Sequence, residues 1–237
     1  MGEKGRWVML NRVLDVAASV ATLVAAVTVT LALILRPTRP ADRPARLAPP
    51  AEMQVADLST FGAPDAPVVV ALYIDYECPY CRTMWRDILP SFVSDRVETG
   101  EVQIALRNVP MPQHPGALNL ARAAVCAGRQ GRPREFGNLA FAGESLSLDS
   151  DASVSRAAGK VGLTVGLFTS CLRDASSMEA VSLEANTART WGIVATPTSV
   201  VGVRLPGGRV KLVRAIPGLP TLAALNDAVD SALLAER

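Results

Sequence analysis

The stretch that decides the fold reads Val68-Val69-Val70-Ala71-Leu72-Tyr73-Ile74 and, shortly after it, Cys78-Pro79-Tyr80-Cys81. The apolar run predicts a buried β-strand, and the residues after Cys78 predict the start of a helix. A helix that begins there places Cys78 beside unpaired backbone N–H groups and the positive end of the helix dipole. Cys81 lies one turn further along, so the two sulfurs can form a short, labile disulfide.

A cysteine at the start of a helix is commonly an acidic thiol. Its pKa falls to roughly 3.5 to 7.5 from about 8.5, and a stabilised thiolate makes the corresponding disulfide a better oxidant. The two alternatives are half of a structural zinc site and an inert structural disulfide. Zinc needs a full set of ligands, and the sequence has no second CxxC motif and a single histidine. The motif therefore indicates thiol–disulfide exchange and no metal site.

The composition allows one well-packed domain and an N-terminal appendage. The chain has 237 residues, 49% of them hydrophobic, and a formal net charge of +2. This near-neutral charge argues against nucleic-acid binding. Residues 16–35 are free of charge and long enough, at about 1.5 Å per residue, to cross a hydrocarbon core of about 30 Å. They predict a transmembrane anchor after a short cytoplasmic N-terminus at 1–15.

A cleaved signal peptide is the alternative interpretation of this segment. The apolar stretch exceeds the usual length in such peptides, about 7 to 15 residues, and no A-x-A-like cleavage site closely follows Leu35. An uncleaved anchor is therefore favoured. Basic residues flank it on both sides and do not set its orientation. Because exchange chemistry on an anchored domain suits an oxidising compartment, we expect the C-terminal domain on the extracytoplasmic side, periplasmic or exterior.

Strand and helix patterns alternate beyond the N-terminal segment. Residues 36–56 carry five prolines among arginines and alanines, which favours an extended linker before a folded domain at 57–237. There we predict a helix over 79–97 with a kink at Pro90, and a strand over 101–108 with one buried face. An insertion of helices over about 112–191 follows. Strands at 198–205 and 209–215 and a helix at 221–235 complete an α/β order of β-α-β, helical insertion, β-β-α.

Three motifs in this order carry a resemblance to a known family. They are Gly62-Ala63-Pro64-Asp65-Ala66-Pro67, Asp75-Tyr76-Glu77-Cys78-Pro79-Tyr80-Cys81 and Gly192-Ile193-Val194-Ala195-Thr196-Pro197-Thr198. Over about 57–237 the chain resembles the DsbA-like thiol–disulfide oxidoreductases, which have a thioredoxin fold with a helical insertion. The resemblance implies that Cys78 and Cys81 are catalytic, that Pro79 and Tyr80 form the active-site loop, and that no cofactor is needed.

The resemblance also implies a cis peptide bond before Pro197 and contact between Thr196 and the substrate. An ordinary proline that opens a strand is the alternative. Two residues depart from the family pattern. Leu72 stands where some members carry a buried acidic residue, and Tyr80 stands where the strongest oxidases carry histidine. Both departures leave the redox potential open.

Cys126 and Cys171 lie on helical patterns of the insertion. An even number of cysteines in an exported domain favours pairing. With the CPYC pair assigned to the active site, a structural bridge between Cys126 and Cys171 is favoured over two buried thiols. His114 is the single histidine and is expected near a helix start in a structural or surface role.

Asp75 and Glu77 precede the dithiol and are assigned no catalytic function. Their negative charge would oppose formation of a thiolate at Cys78. Trp85 and Trp191 are expected to be packing residues.

These observations predict a membrane-anchored, extracytoplasmic enzyme that oxidises exported proteins with free cysteines. By family resemblance, a quinone-linked membrane redox partner would recycle it. The alternatives are a reductant of exported thiols, for example in cytochrome maturation, a disulfide isomerase, and a copper-binding chaperone. The chaperone would use Cys78 and Cys81, with Met84 as a soft third ligand.

Overall fold

The computed structural model describes residues 22–28, 30, 50–55, 59–142 and 151–236. The chain divides into two compact units, Met1–Pro44 and Ala45–Arg237. In the first unit, residues 22–28 are helical and expose Leu23, Val24 and Val27. Across the described ranges, no helix combines the length and the apolar character that a membrane span needs. Most of the anchor predicted at 16–35 lies outside the described residues.

The second unit is built on one six-stranded sheet with the order β1-β6-β5-β3-β4-β2. β3 and β4 are parallel, and all other neighbours are antiparallel. The strands are β1 (Glu52–Gln54), β2 (Ser59–Phe61), β3 (Val68–Ile74), β4 (Val102–Asn108), β5 (Thr198–Arg204) and β6 (Arg209–Pro217).

β3 lies inside the sheet because it is apolar on both faces. Leu72 is in register with Leu106 of β4 and with Ser199 of β5, and every residue of the strand is buried. The prediction that β4 buries one face is wrong, since Gln103 and Ala105 are also buried. A second apolar cluster that includes Ala105 packs on this other face of the sheet.

The sheet begins earlier in the chain than the sequence indicated. β1 lies within the predicted linker at 36–56, and it pairs with the start of β6, where Met53 is in register with Val210. β2 pairs with β4 at the opposite edge. The hairpin between β5 and β6 turns at Pro206–Gly208, where Gly207 has a φ of 78° that suits glycine.

Seven helical segments accompany the sheet in the described residues. The seven segments are α1 (residues 79–97), α2 (Ala117–Gly128), α3 (Pro133–Ala140), α4 (Asp151–Lys160), α5 (Val165–Arg173), α6 (Ala175–Thr190) and α7 (Leu222–Glu236). Five of them, α2 to α6, lie between β4 and β5 and form the insertion.

α1 is not a uniform α-helix. Its α-helical parts, Pro79–Thr83 and Leu89–Phe92, alternate with π-helical turns at Met84–Ile88 and Val93–Val97. Pro90 has no backbone N–H to donate, and Ile88, two residues before it, has a φ of −114°, outside the usual helical range. At Pro90, where the sequence predicts a kink, the structure has a short α-helical segment with a π-helical turn on each side.

The main core lies on one face of the sheet and positions α1. It combines side chains of the sheet with buried residues of α1, α7 and the insertion, including Phe92, Phe136, Phe168 and Leu225. The smaller core on the opposite face includes Tyr73, Ala188 and Ile193. The two cores fix the end of β3 and the start of α1, where the CPYC motif lies.

Candidate active site

The CPYC motif joins the end of β3 to the start of α1. Cys78 is the N-cap residue, with an extended backbone, and Pro79 occupies the first helical turn, where its missing N–H costs nothing. The side chain of Cys81 is fully buried, and Cys78 is 5% exposed. Tyr80 projects outward and is 62% exposed. The motif thus presents one sulfur close to the surface and one sulfur inside the core.

The two thiols have opposite acidities. The pKa of Cys78 is lowered to about 5, mainly by the hydrogen bond from Cys81. Burial opposes this shift, whereas hydrogen bonds from Thr196 and from the backbone N–H groups of Cys81 and Tyr80 add to it. Burial, followed by the hydrogen bond to Cys78, raises the pKa of Cys81 above its usual value. Near neutral pH, Cys78 therefore carries the thiolate and Cys81 holds the proton.

The segment before β5 closes over Cys78. The Thr196–Pro197 peptide bond is cis, and Sγ of Cys78 lies 3.3 Å from the carbonyl oxygen of Thr196, to which it donates when protonated. Thr196 and Pro197 are buried, whereas Val194 is 54% exposed. Tyr80 and Val194 are thus exposed apolar side chains on the two segments that meet at Cys78.

The carboxylate of Asp75 lies directly behind the motif. Its side chain is fully buried, and it accepts hydrogen bonds from the backbone N–H groups of Glu77 at 2.8 Å and Met111 at 2.7 Å. Nδ1 of His114 lies 2.8 Å from the same carboxylate. This hydrogen bond raises the pKa of His114 above its usual value. The backbone N–H of Asp75 points at Sγ of Cys81, at 3.5 Å.

Glu77 fixes the next segment of the chain. Its carboxylate accepts a hydrogen bond of 2.7 Å from the backbone N–H of Gly116, the residue before α2. Asp75 and Glu77 therefore tie the approach to the CPYC motif to the loop at 109–116. This arrangement refines the expected structural role of His114, which contacts a buried carboxylate beside the dithiol.

A groove of about 450 Å³ lies beside this loop. His114 forms part of its wall, together with Met111, Leu118, Val181 and Arg189. Most of its lining is apolar, and the imidazole and the guanidinium are its cationic groups.

Cys126 and Cys171 form a disulfide with an S–S length of 2.06 Å, which joins α2 to α5. Cys126 is fully buried, and the guanidinium of Arg129 lies 3.4 Å from Sγ of Cys171. Cys78 and Cys81 are free thiols.

Other residues singled out in the sequence have packing roles. Trp85 packs edge-on against Phe61 and donates from Nε1 to Asn138 at 2.9 Å. Trp191 packs edge-on against Tyr73. Met84 is fully buried in the core. Within the described part of the chain, no group of three or more His, Cys, Asp and Glu residues is placed to hold a metal ion.

The contact between Asp75 and His114 was missed by sequence reasoning. The two residues are 39 positions apart, and their contact depends on how the loop after β4 folds back on the end of β3. The acidic residues before CPYC were the available signal, since a carboxylate that precedes a thiolate requires a compensating group.

A family model described as Thioredoxin matches residues 55–207 of this chain. The chain therefore belongs to the thioredoxin family. Among curated relatives, the Na(+)/H(+) antiporter NhaA 1 of Mycobacterium sp. (strain KMS) is 31% identical over 164 residues, which are 65% of this chain and 25% of that protein. The Disulfide bond formation protein D of Bacillus subtilis (strain 168) is 40% identical over 48 residues, 20% of this chain and 22% of that protein. The chain spans about a quarter of the length of such antiporters.

The chain aligns with nearly the whole length of several solved structures that share its fold. A thioredoxin-like oxidoreductase from Silicibacter pomeroyi DSS-3 has a TM-score of 0.60 and 26% identity, over 76% of this chain and 94% of that chain. BdbD from Bacillus subtilis has a TM-score of 0.63 and 20% identity, over 79% and 98%. Wolbachia pipientis alpha-DsbA1 has a TM-score of 0.64 and 19% identity, over 78% and 97%.

These similarities confirm the fold and the class of enzyme predicted from the sequence. The fold is a thioredoxin-like α/β fold, and the class is an oxidoreductase of the thioredoxin family.

Proposed function

We propose that this protein is a membrane-anchored thiol–disulfide oxidoreductase that oxidises cysteines of exported proteins on the extracytoplasmic side of the membrane. One observation carries the proposal, namely the placement of the two sulfurs, with Cys78 at the start of α1 against Thr196 and Cys81 inside the core. A Cys78 pKa of about 5 stabilises the reduced enzyme and so makes its disulfide a strong oxidant. The name of the partial relative from Bacillus subtilis, a disulfide bond formation protein, agrees with this direction of electron flow.

The reaction follows from the positions of the two sulfurs. A substrate thiolate attacks Sγ of Cys78 in the enzyme disulfide, and the bond to Cys81 breaks. Cys81 takes a proton, because its buried thiolate is unfavourable. A second substrate thiolate then attacks the mixed disulfide at the substrate sulfur. Cys78 leaves as a stable thiolate, so the substrate has lost two electrons and the enzyme has gained them.

The substrate would bind across the surface formed by Tyr80, Val194 and Thr196. The exposed side chains of Tyr80 and Val194 supply apolar contact, and the backbone at Thr196 lies against Cys78. Thr196 and Pro197 would thus form the substrate-binding loop, with Pro79 and Tyr80 as the active-site loop.

Turnover needs an oxidant, for which we propose a quinone-linked membrane protein. The apolar segment at 16–35 would hold the domain near that partner, with the linker after it as a spacer and the domain outside the cytoplasm.

The function is tested by trapping substrates in cells that express the full chain. A Cys81→Ala variant lacks the resolving thiol and is expected to accumulate mixed disulfides through Cys78, visible on non-reducing gels. A Cys78→Ala variant is the matched control and is expected to trap almost nothing. Equal trapping by both variants would contradict the assigned roles.

The direction of electron flow is tested by the reduction potential against glutathione. A value between about −270 mV, as in thioredoxin, and about −120 mV, as in the strongest oxidases, is expected. A value near about −270 mV would instead indicate a reductant. Stoichiometric binding of Cu(I) in competition with physiological thiols would indicate the copper chaperone.

A further inference from the structure

The approach to the dithiol carries two negative side chains, yet the thiolate at Cys78 is stabilised. The two are Asp75 and Glu77, within three residues of Cys78. Oδ1 of Asp75 accepts from the N–H of Glu77, and the backbone oxygen of Asp75 accepts from the N–H of Cys78 at 3.1 Å. An uncompensated carboxylate in this position disfavours a neighbouring thiolate.

His114 is the residue that meets this carboxylate. Its Nδ1 lies 2.8 Å from Oδ2 of Asp75, and its own side chain is 21% exposed. Since the Asp75 side chain is fully buried, its charge is poorly screened by solvent, and a directly bonded cation is the effective way to cancel it. Imidazolium at His114 makes the pair neutral, whereas neutral imidazole leaves one negative charge beside Cys78.

We propose that His114 is a positioning residue for the dithiol, whose imidazolium cancels the Asp75 carboxylate and so preserves the Cys78 thiolate. The inference deepens the proposed function and rests on it, because it takes Cys78 as the reacting sulfur. His114, on the loop after β4, thus supplies a cation near a dithiol that has tyrosine between its cysteines.

The charged groups around His114 agree with this role. From β3 and the approach to α1 it faces Asp75, Glu77 and Cys78, and all three raise its pKa, with the hydrogen bond to Asp75 as the largest cause. From α6, Arg189 lines the same groove and donates to Asn186 at 2.7 Å. Because electrostatic coupling is reciprocal, a thiolate that favours imidazolium is itself favoured by it.

The first test uses the unchanged full chain without added histidines. His114 is the single histidine, so its imidazole proton signal can be followed by NMR against pH without ambiguity. The pKa of His114 is expected to be above about 6.5 in both redox states, and higher in the reduced enzyme than in the disulfide form. Identical titration in the two states would overturn the proposal.

The second test compares three variants by the ultraviolet absorbance of the thiolate. His114→Gln keeps a donor for Asp75 but removes the positive charge, and is expected to raise the pKa of Cys78 by about one unit. The equilibrium with glutathione should move about tenfold toward a weaker oxidant. Asp75→Asn combined with His114→Gln removes both charges and should return the pKa of Cys78 most of the way. Arg189→Gln, a cation on the same groove without a bond to Asp75, is the matched control and should change little.

Outcomes separate this inference from the proposed function. If His114→Gln lowers the melting temperature and leaves the pKa of Cys78 unchanged, His114 is structural only and the inference fails. If the unchanged protein has no acidic thiol and exchanges no disulfides, the proposed function itself fails.

Discussion

At the scale of single residues, the site depends on the different environments of two thiols, those of Cys78 and Cys81. Cys78 lies at the start of α1 against Thr196, and Cys81 lies in the core against the backbone of Asp75. The sequence indicated this asymmetry, because the spacing of the two cysteines places Cys78 at the helix start and Cys81 one turn further along. It did not indicate Asp75 and His114 as a pair, since neither residue carries a pattern that specifies a contact between distant loops.

The asymmetry predicts how the reduced protein reacts with an alkylating reagent. Only Cys78 should be labelled quickly, and its rate should rise with pH through a midpoint near pH 5 and then level off, because the thiolate is the reactive form. The measurement is the labelling rate across pH, with the labelled cysteine identified by mass spectrometry. A midpoint near about 8.5 would contradict the acidity of Cys78, and fast labelling of Cys81 would reverse the roles.

At the scale of elements, long patterned segments were predictable and short ones were not. α4 (Asp151–Lys160) and α5 (Val165–Arg173) lie within the helical insertion that the sequence predicts over about 112–191, because apolar spacing and flanking residues agree there. β1 and β2 have three residues each, too few for a period to show, and their pairing depends on distant strands. The π-helical turns of α1 lie on either side of the segment that contains Pro90, and no other sequence pattern marks them.

The packing of α3 on α1 predicts an effect at one glycine. A Cβ at Gly137 would overlap the ring of Trp85, which is buried and held by its hydrogen bond to Asn138. Gly137→Ala is therefore expected to destabilise the protein by about 1 to 3 kcal/mol. The free energy of unfolding in denaturant measures this change.

Gly159 on α4 gives the matched control. A Cβ there meets nothing within 4 Å, so Gly159→Ala should leave stability unchanged or raise it by about 0.4 to 1 kcal/mol. Equal effects at both positions would show that Trp85 does not restrict α3.

At the scale of the whole molecule, the sheet is continuous but the insertion is a chain of helices with its own covalent link. The disulfide between Cys126 and Cys171 closes a loop with a sequence separation of 45 residues and joins the C-terminal part of α2 to the C-terminal part of α5. The expectation of a bridge came from the cysteine count and from assigning the other pair to the active site. The order of the elements along the chain, β-α-β, helical insertion, β-β-α, also followed from the sequence pattern, apart from the two short edge strands.

Removal of this link is expected to weaken the fold without changing the chemistry. In the chain-entropy model, the bridge contributes about 4 kcal/mol at most, so Cys126→Ala with Cys171→Ala should lower the melting temperature. Exchange at Cys78 should remain in the folded fraction. Loss of exchange at unchanged stability would mean that the second pair relays electrons, and free thiols in a non-reducing digest would show that no bridge forms.

The short edge strands affect how readily extended segments of other chains could add to the sheet. A protein that handles unfolded polypeptides meets many extended segments that could hydrogen-bond to an open sheet. Within the described residues, β1 and β2 at the two edges are only three residues long, and β6 beside β1 carries Arg209, Lys211 and Arg214. Short edges and basic side chains both disfavour strand addition. The edges of this sheet are therefore poor templates for co-aggregation with extended segments of other chains.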